Sequence, residues 1–171
     1  MSGDDVFPDR DMSHRDKIEF MLEREGWAID AVSARDADGS TFPSYAFTIG
    51  FEERFGFPEV CVVGLSPVAC RGLFDLVAGA LAGGTDLPIA APCIGLLDGG
   101  QPCAFLPVEV ATCASLFPSL VEHHRLAGGD PEGFALVQLA WPDRAGALPW
   151  EPAFDRRLLT AQVLLGDAPG A

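Results

Sequence analysis

Between residues 27 and 50 the sequence writes two strand patterns around a polar turn, and this demands an antiparallel pair of strands. Residues 27–34 alternate Trp, Ile and Val with Asp and Ser, the period of a half-buried strand. Residues 35–43 are polar and centre on Asp38-Gly39, a hairpin signal because Gly accepts the positive φ that tight hairpin turns need. Tyr45-Ala-Phe-Thr-Ile-Gly50 reads as the returning strand. A second hairpin signal, Asp98-Gly99-Gly100, separates short apolar runs at 89–97 and 103–108. Two hairpins are incompatible with a strictly alternating, all-parallel α/β winding. The expected class is α+β: a mainly antiparallel or mixed sheet with about three helices packed on it.

The helices announce themselves by their ends. Residues 13–26 carry an N-cap Ser13, apolar Ile18, Met21 and Leu22 at helical spacing, and a terminating Gly26. Ser66-Pro67 opens a second helix, whose stripe of Leu73, Leu76, Val77, Ala80 and Leu81 runs to Gly83-Gly84. A third is expected from residue 109 or 110 to 125, with Pro118 near its start or kinking it. Residues 51–58 read as a loop, 60–63 as a fully buried strand, and 133–141 as a strand with Phe134, Leu136, Gln138 and Ala140 on one side. Period alone leaves 157–165 open between strand and helix. With 171 residues and no linker or repeat, one domain is expected over 13–166, flanked by a flexible acidic segment 1–12 and a flexible tail 167–171.

Charge narrows the function. Eleven basic residues stand against 25 acidic ones, a formal net charge of −14, so phosphate backbones and anionic membrane surfaces are repelled. No apolar run reaches the ~18 residues that cross a bilayer. The acidic start lacks the basic and apolar regions of a secretory signal, so a cytoplasmic location is expected. The five cysteines, at 61, 70, 93, 103 and 113, contain no CxxC pair. That spacing is poor for zinc and fits buried, reduced thiols; neither a metal nor a cofactor is expected.

Two segments are less generic. One is Tyr45-Ala-Phe-Thr-Ile-Gly-Phe51 followed by Phe57-Pro-Glu-Val60 and Gly64-Leu65. The other is Gln138-Leu-Ala-Trp-Pro-Asp143 followed by Gly146 and Pro149-Trp-Glu151. Together they resemble a bacterial family known only as domain of unknown function 4262, over about residues 14 to 165. The resemblance carries no activity. Many relatives have a Tyr-rich stretch where this chain has His123-His124-Arg125-Leu126, so the histidines inherit no role.

The candidate ligand-binding residues are Tyr45, Thr48, Glu59, Gln138, Trp141, Asp143, Trp150 and Glu151. In the strand 45–50, Tyr45, Phe47 and Ile49 share one face and Ala46, Thr48 and Gly50 the other. The second face is small enough to accept an indole. The strand and the corner at 141–151 are therefore expected to meet over one pocket lined by Thr48, Trp141, Asp143 and Trp150. The plainer alternative is a rigid corner whose indoles only cap the core. Thr48 with Glu52, Glu53 and Glu59 offers oxygen ligands for a hard cation, but loop acids are more often simply solvated. Ser66 is better explained as a cap than as a nucleophile.

Three functions follow. The first is a module binding a protein or small molecule through the Trp corner, with a homo-oligomer as a further expectation. The second is a hydrolase-like enzyme using Asp143, Glu59 or His123. The third, resting on the Thr-x-Gly strand alone, is a flavin-binding split barrel.

Overall fold

The computed structural model describes residues 12–37 and 39–169. Helix α1 (His14–Glu25) has the caps its sequence implies: the Ser13 side chain accepts from the Asp16 amide, and Gly26 closes it at φ 78°. Strands β1 (Ala28–Val32) and β4 (Tyr45–Ile49) pair antiparallel as the alternation demands. The polar stretch between them is more than a turn. It forms its own ribbon, β2 (Arg35–Ala37) against β3 (Ser40–Phe42). The turn residue Asp38, the acidic residues 1–11 and the last two of the 167–171 tail lie outside the described residues.

Residues 51–58, expected as a loop, contain helix α2 (Phe51–Phe55). Five residues do not sustain a helix by propensity. Here Phe51 is fully buried, edge-on to Trp27 at 5.1 Å, and a carboxylate described below receives the first amides. Strand β5 (Glu59–Val63) and helix α3 (Pro67–Ala82) follow, the latter capped by Ser66 accepting from the Ala69 amide.

The expected strand at 89–97 shrinks to β6 (Pro92–Cys93), because proline has no N–H for a ladder and confines pairing to an edge. Strand β7 (Cys103–Val108) is where the apolar run placed it. The helix expected to reach 125 breaks in two, α4 (Val110–Cys113) and α5 (Pro118–Leu126). Pro118 disfavours helical geometry at Phe117, which sits at φ −125°, ψ 53°. Strand β8 (Leu136–Ala140) is the last. Residues 157–165 are neither strand nor helix beyond a 3-10 turn at Arg156–Leu158, because side chains take up their backbone groups.

The sheet order is β1-β4-β5-β8-β7-β6, with β5 and β8 the parallel pair and the other neighbours antiparallel. The class is α+β, with two sheet edges rather than a closed barrel. Of five α-helices among the described residues, α1, α3 and α5 are the long ones; α2 and α4 are single turns added to the expected three.

Alternation divides the core. One face, with Ala46, Val60, Val62, Phe105, Val137 and Leu139, packs against Cys70, Phe74 and Val77 of α3. The other, with Phe47, Ile49, Cys61, Val63 and Leu136, meets Ile18 of α1 and Leu120 of α5. Farther along that second face, Ala104, Leu106 and Ala140 are covered by Trp150 and Leu164. Both faces are closed, which is why the strands β4, β5 and β8 are buried at every position.

Candidate functional site

The eight candidate residues fall into three arrangements. The first lies between β4, α2 and β5. Glu59 begins β5 and is fully buried, not solvated on a loop. Its carboxylate accepts from the Gly50 amide at 2.8 Å, the Phe51 amide at 2.7 Å and the Thr48 hydroxyl at 3.2 Å. It is thus the cap of α2, delivered from across a turn. The Thr48 hydroxyl oxygen in turn accepts from the Val60 amide at 2.9 Å. Burial raises the Glu59 carboxyl to about 8, against the opposing pull of the Gly50 and Phe51 amides and the Thr48 hydroxyl. Every polar partner here is internal, and the arrangement is a structural knot. Among the described residues no group of three or more His, Cys, Asp and Glu is placed to hold a metal ion, and Glu59, one oxygen ligand of the cation reading, is taken up by internal donors.

The second arrangement fastens the chain's last segment. The Gln138 amide donates to the Val163 carbonyl at 2.8 Å, and its oxygen accepts from the Leu165 amide at 2.6 Å. Gln162, which the sequence reading passed over, does the same for Trp141. Its oxygen accepts from the Trp141 amide at 2.8 Å and its nitrogen donates to the Trp141 carbonyl at 2.9 Å. Gly64 lets this segment pass: a Cβ there would meet the Ala161 carbonyl oxygen at 2.2 Å, and its φ is +92°. The Tyr45 hydroxyl is likewise occupied, donating to the Leu116 carbonyl at 2.6 Å.

The third arrangement is the corner from Trp141 to Leu158. Trp141 follows β8, and Pro142 holds it extended. Its indole belongs to the same apolar cluster as Ala46, on the small face of β4, and its ring nitrogen donates to the Val63 carbonyl at 2.9 Å. That half of the expected meeting is present. Trp150 is not part of it: its indole covers Ala104, Leu106 and Ala140 on the opposite face. Adjacent residues of a strand point to opposite sides, so Ala140 and Trp141 send the two indoles apart. With Thr48 sealed beside Glu59, the single pocket expected from Thr48, Trp141, Asp143 and Trp150 is not assembled.

The corner is organised instead by Asp143. One carboxylate oxygen accepts from the Ala145 and Ala147 amides, each at 2.9 Å, and the other from the Asp155 amide at 2.9 Å. The Ala147 amide most of all, then those of Asp155 and Ala145, lowers its pKa by favouring the charged form. The Glu151 carboxylate accepts from the Leu148 amide and fixes the Pro149-Trp150 turn. Beside this braced loop is an open cleft of about 640 Å³, lined by Asp143, Arg144, Ala145, Asp155, Arg157 and Leu158. Arg157 is held by Asp155, its guanidinium nitrogens 3.0 and 2.8 Å from the two carboxylate oxygens. Arg144 is exposed and has no such partner among the described residues. Sequence reasoning missed both arginines; the only signal was the adjacent Arg156-Arg157 in an acidic chain.

Fold and corner thus define a single α+β domain, a mixed six-stranded sheet closed on both faces, with a braced cleft at one end. The family model for Domain of unknown function (DUF4262) matches residues 21–155, most of the chain. The chain belongs to that family. No curated protein and no solved structure matches it. The match includes the strand of Thr48 and the whole Asp143 loop, and stops before the Gln162 strap.

Proposed function

We propose that the domain is a binding module whose site is the cleft along residues 143–158, taking a small molecule or partner group that carries a carboxylate or phosphate. The observation that supports this is the contrast between Asp143 and Arg144. Asp143 spends both carboxylate oxygens on loop amides and so fixes the backbone from which Arg144 projects. Arg144 itself is exposed, lines the cleft and has no ion-pair partner among the described residues. A guanidinium on a pre-fixed loop binds an oxyanion with little ordering entropy to lose. The tryptophans serve this site as scaffolding rather than as contacts: Trp141 anchors the loop on one sheet face and Trp150 on the other.

The hydrolytic reading finds less support. Asp143 is held ionised and fully hydrogen-bonded, Glu59 is sealed in the core, and His123 pairs with Glu53 at 2.9 Å on another surface. No two of them converge on a common cleft.

A thermal-shift screen of mono- and dicarboxylates, phosphate monoesters and inorganic phosphate tests the proposal. A true ligand at a hundred times its dissociation constant should raise Tm by about 5–10 °C. The shift should vanish in Arg144→Ala and shrink in Arg157→Ala. A ligand whose shift survives Arg144→Ala would place the site elsewhere.

A further inference from the structure

The five cysteines lack any local pairing in sequence, yet the sheet brings two of them face to face. Cys93 on β6 and Cys103 on β7 are register partners in the antiparallel pair. Both side chains point to the same sheet face and belong to the same apolar cluster. Directly opposed residues of an antiparallel pair have Cα atoms roughly 4.5–5.5 Å apart, inside the span of about 4.4–6.8 Å that a disulfide bridges. Both are free thiols in this structure. We infer that Cys93 and Cys103 form a reversible cross-strand disulfide when the protein meets a hydroperoxide.

The two positions differ in a way that orders the chemistry. Cys93 lies on the two-residue edge strand, next to the exposed Ile94, where the ladder opens at least cost. Cys103 is fully enclosed, and burial together with the neighbouring Cys93 pushes its thiol up to about 12. Cys93 is therefore the thiol that meets the oxidant. Its sulfur attacks the peroxide, the O–O bond breaks, and a sulfenic acid and an alcohol (or water) result. The Cys103 sulfur then attacks the Cys93 sulfur; the S–S bond forms, the S–O bond breaks, and the Cys103 proton leaves with the hydroxyl as water. In total two thiols are oxidised and one hydroperoxide is reduced. Cys61 on β5 and Cys113 on α4 share the other apolar cluster but are not register partners on paired strands, and Cys70 lies on α3. The link would clamp the edge strand β6, which among the described strands pairs with β7 alone.

Peptide mapping of the full native chain after limited hydrogen peroxide decides this. Cleavage before Asp86, Asp98 and Asp130 separates Cys93, in peptide 86–97, from Cys103 and Cys113, in peptide 98–129. The expected product is these two peptides joined, lighter by about 2 Da than their sum and released by a dithiol. The link should persist in Cys113→Ser and disappear in Cys103→Ser. Recovery of Cys93 only as thiol, sulfinic or sulfonic acid would overturn the proposal. So would a link to Cys113, or a link that forms only after denaturation.

Discussion

Glu59 shows how far a residue's meaning depends on its surroundings. In the sequence it is one of three acids near a Pro-Glu turn, and solvation is the ordinary fate of such groups. In the fold it replaces the missing acceptors at the start of α2. Its pH dependence has a definite sign. The folded carboxyl ionises near 8 and the unfolded one near its ordinary value of 4.5. Its stabilising contribution is complete below 4.5, where both states hold the proton, and is lost as pH rises toward 8 and the buried group must ionise. Chemical denaturation between pH 5 and pH 8 should show stability falling by on the order of 1 kcal/mol per unit from this group. Glu59→Gln should abolish that slope, while lowering stability at pH 5 by about 1–3 kcal/mol because one amide loses its acceptor. Parallel pH profiles for the two proteins would refute the assignment. Asp143 has the opposite sign: its lowered pKa contributes stability that is lost as the solution is acidified through its folded value.

At the scale of elements, the helices on the second face are tied to the sheet by one buried acid. Asp30, on the edge strand β1, accepts from the Ser119 hydroxyl on α5 and lies 3.0 Å from the His14 ring nitrogen on α1. Replacing it with alanine should cost about 2 kcal/mol, since hydrogen bonds to a charged group are lost and a hydroxyl is left unpartnered. Amide exchange in the first turns of α1 and α5 should quicken together; an unchanged α1 would show that the tie is not structural. The elements also mark how far sequence logic reached. α1, α3 and the hairpin β1–β4 were legible because their caps, stripes and alternation are local signals. α2 and the shortness of β6 were not, and the split of α4 from α5 was legible only in that Pro118 was expected to start or kink a helix. Each is set by a distant partner or by a proline whose effect depends on what packs around it.

The whole molecule carries −14, and its basic residues are spread along the sequence with Arg156-Arg157 the one adjacent pair. Binding to duplex DNA at physiological salt should therefore be weak or absent; saturable binding in a filter or anisotropy assay would mean that a local arginine cluster outweighs the global field. The sequence by itself determined the class, the antiparallel hairpin, the single domain and the family, because periodicity, capping and a doubly tryptophan-marked corner are written in neighbouring residues. It also pointed to an indole against the small face of β4, without choosing between Trp141 and Trp150. Only the tertiary structure decided that Trp150 goes to the other face, that Glu59 is a buried cap, and that Gln162 mimics a strand for Trp141. It alone brought Cys93 opposite Cys103 and set Arg144 beside a braced cleft. The reason is physical: local pattern fixes which way a side chain points from its own strand. What it meets there depends on parallel pairing, crossover paths and close backbone approach between residues far apart in the chain.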